Sequence, residues 1–258
     1  MPTLNGTPER RAAGVPAIIP SVDLRDALRT TGAVREFTGE PVSDAVLYDI
    51  LDTARFAPSG GNRQGWRTIV VRDPGLRRGL RDLYLPGWYD YLAMRGAGLV
   101  PWAPITDRDA ESEALTRAAS IAAEATPGFA ERLDEVPVLV AVLADLRALA
   151  AVDRDFERYT LAGGASIYPF TWSILLAAHD AGLGGVMTTM LVQREAEARA
   201  LLGVPDEFAV AALLALGHPI RRPTRLRRAA VEDFTTLDRF DGERFTGPAE
   251  DTRQTGPS

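Results

Sequence analysis

Residues 57–66 read APSGGNRQGW, and the fold and the chemistry of this chain turn on how that stretch is understood. Pro58 ends the helix that runs into it, because it lacks an N–H and crowds the preceding residue out of helical dihedrals. Gly60 and Gly61 let the backbone take positive φ and approach another molecule closely. Asn62 and Gln64 carry side-chain amides that donate and accept at once, as the edge of a heteroaromatic ring requires. Trp66 adds a large flat surface just beyond. On turn statistics alone this is a helix-to-strand loop. The segments on either side give it more meaning.

Upstream, Ser43 caps a helix, DAVLYDILDTARF, whose Val46, Leu47, Ile50, Leu51 and Ala54 share one face. Before it, TTGAVREF (30–37) is a polar turn containing Arg35, and Ser21 can cap a short helix over 22–30. Residues 1–20 have no periodicity and are expected to form a flexible N-terminal arm. Downstream, 67–72 reads as a strand rich in β-branched residues, closed by an Asp-Pro-Gly turn. LRRGLRDLYL then looks helical, PGWYDYLAMRGAGLVPWAP aromatic and loop-rich, and DRDAESEALTRAASIAAEA helical again. Trp88, Tyr89, Tyr91 and Trp102 cluster there, as a small core, a subunit contact or a lid over a flat substrate.

VPVLVAVLA (136–144) is apolar at every position and bounded by Asp145, which suits a buried central strand. A polar helix is expected over 145–159. An almost wholly apolar helix follows over 165–181, closed by Gly182, and belongs at a protein centre or a large interface. VMTTM is a short strand, 193–202 a helix, and 208–217 the last strong strand. Five arginines then fall within the eight residues from 221 to 228. The resulting domain spans 21–246, with 247–258 as a disordered tail. Helices mixed with about four strands, without regular βαβ alternation, indicate an α+β domain and not a doubly wound dinucleotide fold.

Composition removes whole classes of chemistry. The 258 residues include no cysteine, so disulfides, thiolate metal sites and thiol nucleophiles are excluded. All 29 basic residues are arginine, which excludes Schiff-base lysine chemistry while leaving planar phosphate clamps available. Two histidines, His179 and His218, are too few for a histidine-rich metal site, and no metal is expected. A net charge of −6 argues against nucleic acid as a partner. The N-terminus lacks the apolar core of a signal peptide and no apolar run reaches the ~20 residues of a membrane span, so a cytoplasmic protein is expected. No GxSxG elbow is present, and the GLGG at Gly182 precedes a strand where a dinucleotide fingerprint would follow one. Shaped loops with few catalytic side chains suggest that a cofactor carries the chemistry.

Four segments, TTGAVREF, ILDTARFAPSGGNRQGWRTIVV, LLAAHDAGLGGVMTT and LLGVPDEFAVAALLALGHP, together resemble the nitroreductase superfamily in order and spacing, over residues 28–240. The resemblance implies a three-layer α+β fold with a mainly antiparallel sheet flanked by helices, an intertwined homodimer, and FMN at two sites in the dimer interface. The family's Arg-x-Ser-x-Arg/Lys segment matches Thr31, Ala33 and Arg35, so Arg35 is retained while the first arginine and the serine are not; Arg29 lies close by. Ser59, Gly60 and Asn62, with Gln64, match the loop that reaches the flavin from the second subunit. Met187, Thr188 and Thr189 match the segment that packs on the isoalloxazine ring and directs a backbone amide at its redox-active nitrogen. Arg225, Arg227 and Arg228 match a region from which the family draws phosphate-binding cations.

The expected activity is ping-pong hydride transfer from NAD(P)H through FMN to a flat, electron-poor acceptor, nitroaromatic or quinone-like, with no side chain acting as acid or base. Other flavin chemistry found in the superfamily is the alternative: oxidase, dehalogenase or flavin-consuming enzyme. A flavin-binding protein without turnover is a third reading.

Overall fold

The apolar run at 136–144 does become the strand on which both sides of the molecule pack. A computed structural model of the protein describes residues 22–247. Its sheet has four strands: β1 (Trp66–Val71), β2 (Val138–Asp145), β3 (Gly184–Thr188) and β4 (Phe208–Gly217), in the order β1-β2-β4-β3. All three pairings are antiparallel. β2 is buried from Val138 to Ala144, so each of its faces must be covered by something apolar. Val138, Val140, Val142 and Ala144 pack with α2 (Asp44–Ala54) and α6 (Tyr168–Asp180), through Leu47, Ile50, Phe170 and Ile174. Leu139, Ala141 and Leu143 face the opposite way, toward Leu80 and Tyr84 of α3 (Pro74–Gly96) and Ala198 of α7 (Glu195–Leu202). Helices on both faces of an antiparallel sheet make three layers, as the sequence led us to expect.

Local chemistry sets the ends of the elements. Ser43 caps α2 by accepting the Val46 N–H at 3.3 Å. The first helix, α1 (Leu24–Thr30), is capped by Asp23, which accepts from the Arg25 and Asp26 N–H groups; the expected cap Ser21 lies outside the described residues. So do residues 1–20 and, apart from Gly247, the proposed tail. α6 ends at Asp180, and Gly182, at φ +82°, lets Leu183 donate back to the Ala178 carbonyl at 2.7 Å.

Three expectations fail. The aromatic segment read as a loop is the second half of α3, which continues through Pro86 to Gly96. Pro86 deprives the Asp82 carbonyl of its helical donor, but both residues lie on the exposed side, where water can take that place. On the other side Tyr84, Trp88 and Tyr91 fall at helical spacing and stack in succession, with centroids 6.4 and 5.4 Å apart, and Trp102 extends the row at 6.3 Å. The second failure is the helix expected over 145–159, which is a string of turns. β2 hands its ladder on, Leu146 N–H donating to Glu207 O, and the buried Asp153 carboxylate accepts the Leu161 and Ala162 N–H groups and the Arg158 guanidinium. Side-chain-to-backbone bonds of this kind compete with helix formation. The segment expected as one helix over 107–125 is two, α4 (Arg108–Leu115) and α5 (Ala118–Glu124).

The chain divides between Pro223 and Thr224 into two compact units. The sheet and all seven helices belong to the first. Among the described residues of the second, Thr236 and Arg244 form an isolated antiparallel bridge.

Candidate functional site

The residues singled out in the first unit fall into two groups at opposite edges of the sheet. The first group lies along β3. Ala33 bridges Gly185 in parallel, and the Val34 N–H donates to the Gly185 carbonyl at 2.9 Å, so the Thr31–Arg35 segment lines the outer edge of that strand. Close approach of this segment is possible because residue 184 is glycine: a Cβ there would lie 2.8 Å from Val34 Cγ2 and 3.0 Å from Val34 Cβ, while a Cβ at Gly185 would crowd the Ala215 carbonyl, Leu175 and Leu216 on the inner side. Backbone groups alternate in direction along a strand. Since Gly185 points its carbonyl outward, Met187 points its N–H and C=O outward too, beyond the end of the 33–34 bridge.

Side chains complete this edge. Thr188 lies on the α3 side, its Oγ1 3.4 Å from the Tyr84 hydroxyl, while the Met187 side chain packs on the α6 side. Thr189, exposed, begins the 3-10 turn Met190–Arg194. Burial raises the pKa of the Tyr84 hydroxyl, and the Thr188 hydrogen bond and the nearby Arg35 charge oppose that rise. Tyr84 is therefore a buried neutral phenol between the two segments. The sequence reading missed it, because LRRGLRDLYL shows only an ordinary amphipathic helix. Arg35 is exposed, takes part in no ion pair among the described residues, and borders a cavity of about 490 Å³ with Phe37, Phe129 and Arg132. Thr31 is buried at the end of α1, and its hydroxyl has no hydrogen-bond partner among the described residues.

The second group is the loop between α2 and β1. Gly61, Asn62 and Gln64 all have positive φ, at 60°, 53° and 50°. Two of the three are not glycine, so the loop holds backbone strain. Ser59 is the internal brace: its carbonyl accepts the Asn62 N–H at 2.9 Å and its Oγ the Gln64 N–H at 3.0 Å. The Gln64 amide donates to Asn62 Oδ1 at 3.2 Å, which leaves both exposed side chains joined at the loop tip. Gly60 donates its N–H to the buried Ser166 Oγ at 3.0 Å. Trp66 does not offer its face to a ligand. It is 8% exposed and stacked on Phe170, with centroids 4.6 Å apart and planes 5° from parallel.

These groups do not meet within one chain. β1 and β3 are the two edge strands, three strand spacings or about 14 Å apart. α6 also separates the loop from the end of α1. Its 13 residues span about 20 Å, and Ser166 just before its start holds Gly60, while near its end His179 Nε2 lies 3.3 Å from Thr30 Oγ1 of α1. Burial lowers the pKa of His179, the Arg222 charge adds to that, and the imidazole is a packing group at the α1–α6 contact. Arg225, Arg227 and Arg228 fall in the second unit and are exposed there. No cluster of metal-ligating side chains occurs among the described residues, and no helix there is long and apolar enough to cross a membrane.

The model of the nitroreductase family matches residues 28–218. The chain belongs to this family. The nitroreductase match spans all four strands and both groups of the first unit. A protein of Thermus thermophilus named NADH dehydrogenase is 32% identical over 219 residues, covering 84% of this chain and 96% of its own length. The iodotyrosine deiodinase 1 of Rattus norvegicus is 28% identical over 206 residues, 79% of this chain and 65% of that protein. Among solved structures, an NADPH:FMN oxidoreductase from Vibrio harveyi complexed with NAD+ superposes with a TM-score of 0.57 at 20% identity, covering 84% of this chain and 77% of the other. That likeness is one of fold.

Proposed function

We propose that this nitroreductase-family chain is an FMN-dependent NAD(P)H oxidoreductase that works as a homodimer on a flat, electron-poor small molecule. The observation that carries the reading is the division of the candidate site. One chain supplies a β3 edge with a cation that makes no ion pair among the described residues and an outward backbone N–H, and, at the opposite edge of the sheet about 14 Å away, a strained amide-bearing loop. A flavin ring cannot touch both in one chain, whereas a two-fold related copy can bring its loop to the first copy's β3 edge. The relatives named for NADH and for FMN support the same reading.

The residues fit the ring end of FMN better than its phosphate end. Among the described residues Arg35 makes no ion pair and the buried Thr31 hydroxyl has no hydrogen-bond partner, and the Met187 N–H faces outward from the strand edge. Thr31 and Ala33 provide no guanidinium fork, so Arg29 in the last turn of α1 is the phosphate cation that the first unit offers, and the second unit carries the exposed Arg225, Arg227 and Arg228. When bound, FMN supplies hydride transfer in two half-reactions, from NAD(P)H and then to the acceptor. Arg35 would hold the pyrimidine end, where a fixed cation favours negative charge, and the backbone N–H at 187–189 would donate to the redox-active nitrogen. Asn62 and Gln64, held together at the loop tip, present amide groups from the second copy. No side chain of this chain has to donate or remove a proton.

Purified protein should bind FMN non-covalently, and under nitrogen its flavin colour should bleach with NAD(P)H and return with a quinone or nitroaromatic. A spectrum without flavin bands after incubation with excess FMN would refute the reading. The deiodinase relative supports a second acceptor class, halogenated aromatics. Halide release from a halophenol by the reduced protein, with no return of colour on quinone addition, would select it.

A further inference from the structure

The Ser59–Gln64 loop has an anchor that the family likeness does not supply. Among the described residues, the hydrogen bond from Gly60 N–H to Ser166 Oγ is the only one that ties residues 59–64 to the rest of the chain. The other bonds of the loop are internal to it. Internal bonds keep its shape, the chain beyond it is pinned where the Gly65 carbonyl accepts the Asp145 N–H at 2.7 Å, and three positive-φ residues persist only where the surroundings fix them. Ser166 is itself immobilised. It is 6% exposed and ends the 3-10 turn Ala162–Ser166, whose first N–H groups are held by the buried Asp153 carboxylate.

We infer that Ser166 is a positioning residue that sets the placement of the Ser59–Gln64 loop, with Asp153 fixing Ser166 in turn. The chain of contacts runs from Asp153 to Leu161 and Ala162, through the 3-10 turn to Ser166, and across to Gly60. Gly60 fits this role sterically: a Cβ there would sit 3.4 Å from Ser166 Oγ and 3.5 Å from Ala150, so backbone and hydroxyl are already in contact. The inference rests on the proposed function only where it speaks of flavin. The anchoring itself is a property of this chain.

Ser166→Ala removes the acceptor and leaves the Gly60 N–H without a partner. In the FMN-free protein, amide exchange at Gly60, Asn62 and Gln64 should accelerate about tenfold while β2 amides keep their rates, and FMN affinity should fall by about tenfold. Ser166→Cys is nearly isosteric with a weak acceptor, and should loosen the same three amides even if the alanine variant fails to fold. Ser173→Ala, on α6 but bonded only to Pro169 O, is the control and should leave both readouts within about twofold. Wild-type exchange at Gly60 in both Ser166 variants, or acceleration spread equally over β2, would overturn the inference. If the wild type takes up no FMN, the proposed function fails, and the exchange rates still decide the anchor.

Discussion

The two edges of the sheet are built on different principles. At the β3 edge, backbone pairing does the positioning: the Thr31–Arg35 segment is zipped to Gly185, and its side chains follow from the register. At the β1 edge nothing zips the chain. The Ser59–Gln64 loop stands on a strained backbone, a serine brace and one hydroxyl from elsewhere in the fold. An edge set by the ladder tolerates side-chain loss and fails when the backbone is pushed. A loop set by side chains and dihedrals behaves the other way round.

Alanine at two glycines gives the widest contrast. Gly185→Ala drives a methyl into Ala215 O, Leu175 and Leu216, and overpacking of this kind destabilises by about 1–3 kcal/mol, read by chemical denaturation. Gly60→Ala meets its neighbours at ordinary contact distance and should change stability by less than about 0.5 kcal/mol. Equal effects would remove the distinction.

Asn62 gives the next largest expected effect. At φ 53°, Asn62→Ala should destabilise by about 1 kcal/mol and Asn62→Gly by distinctly less, because only the first adds Cβ strain without the asparagine side chain's local bonds. Both remove the partner of the Gln64 amide, so both should weaken FMN binding. Thermal unfolding and a flavin fluorescence titration separate the two effects.

Arg35→Ala should leave the fold intact, since the segment is held by its backbone, and should lower the flavin reduction potential. A unit charge ~4 Å away at an effective dielectric of ~20 is worth roughly 4 kcal/mol before screening; for an exposed arginine about a quarter of that is expected, near a fivefold change in an equilibrium constant. Arg227→Ala should instead weaken FMN binding with little change in potential, because phosphate charge is unaltered by ring reduction. Potentiometry of the two variants checks the pair.

A smaller effect is expected with pH. The backbone N–H of Leu161, then Arg158 and Ala162, hold the Asp153 carboxyl below its ordinary pKa, against burial. The folded state therefore favours the ionised form, and the stability this gives is complete above the unfolded value near 3.9 and is lost as the pH falls through the folded value. Asp153→Asn should flatten the acid limb of the stability profile and speed exchange at Leu161 and Ala162.

The same contrast explains what could be read from the sequence. The central strand was legible because β2 is apolar at seven consecutive positions, and β3 was legible except in its bounds: VMTTM (186–190) was expected, and the strand is Gly184–Thr188 because the two glycines lie inside it. The Ser43 cap and the bounds of β4 were legible for similar local reasons. Ser166 was not, because an alanine-rich turn gives no sign that its hydroxyl meets a backbone 106 residues away. Tyr84 stayed hidden as one aromatic on an ordinary helix. The helical half of the aromatic segment was not legible, because a proline such as Pro86 usually ends a helix and here lies inside one. The helix expected over 145–159 failed because Asp153 spends its carboxylate on distant backbone groups, a choice invisible to periodicity.

The central claim is that neither edge makes a flavin site alone and that two copies share one. Mixed dimers test it. Differently tagged chains carrying Arg35→Ala and Asn62→Ala are co-expressed, and the heterodimer is isolated through both tags. If the site is shared, one of the two sites collects both substitutions and the other is wild type, so about one FMN per dimer should bind with wild-type affinity and reduce at the wild-type rate. If each chain holds its flavin by itself, both sites carry one substitution, no wild-type site appears, and the account is wrong.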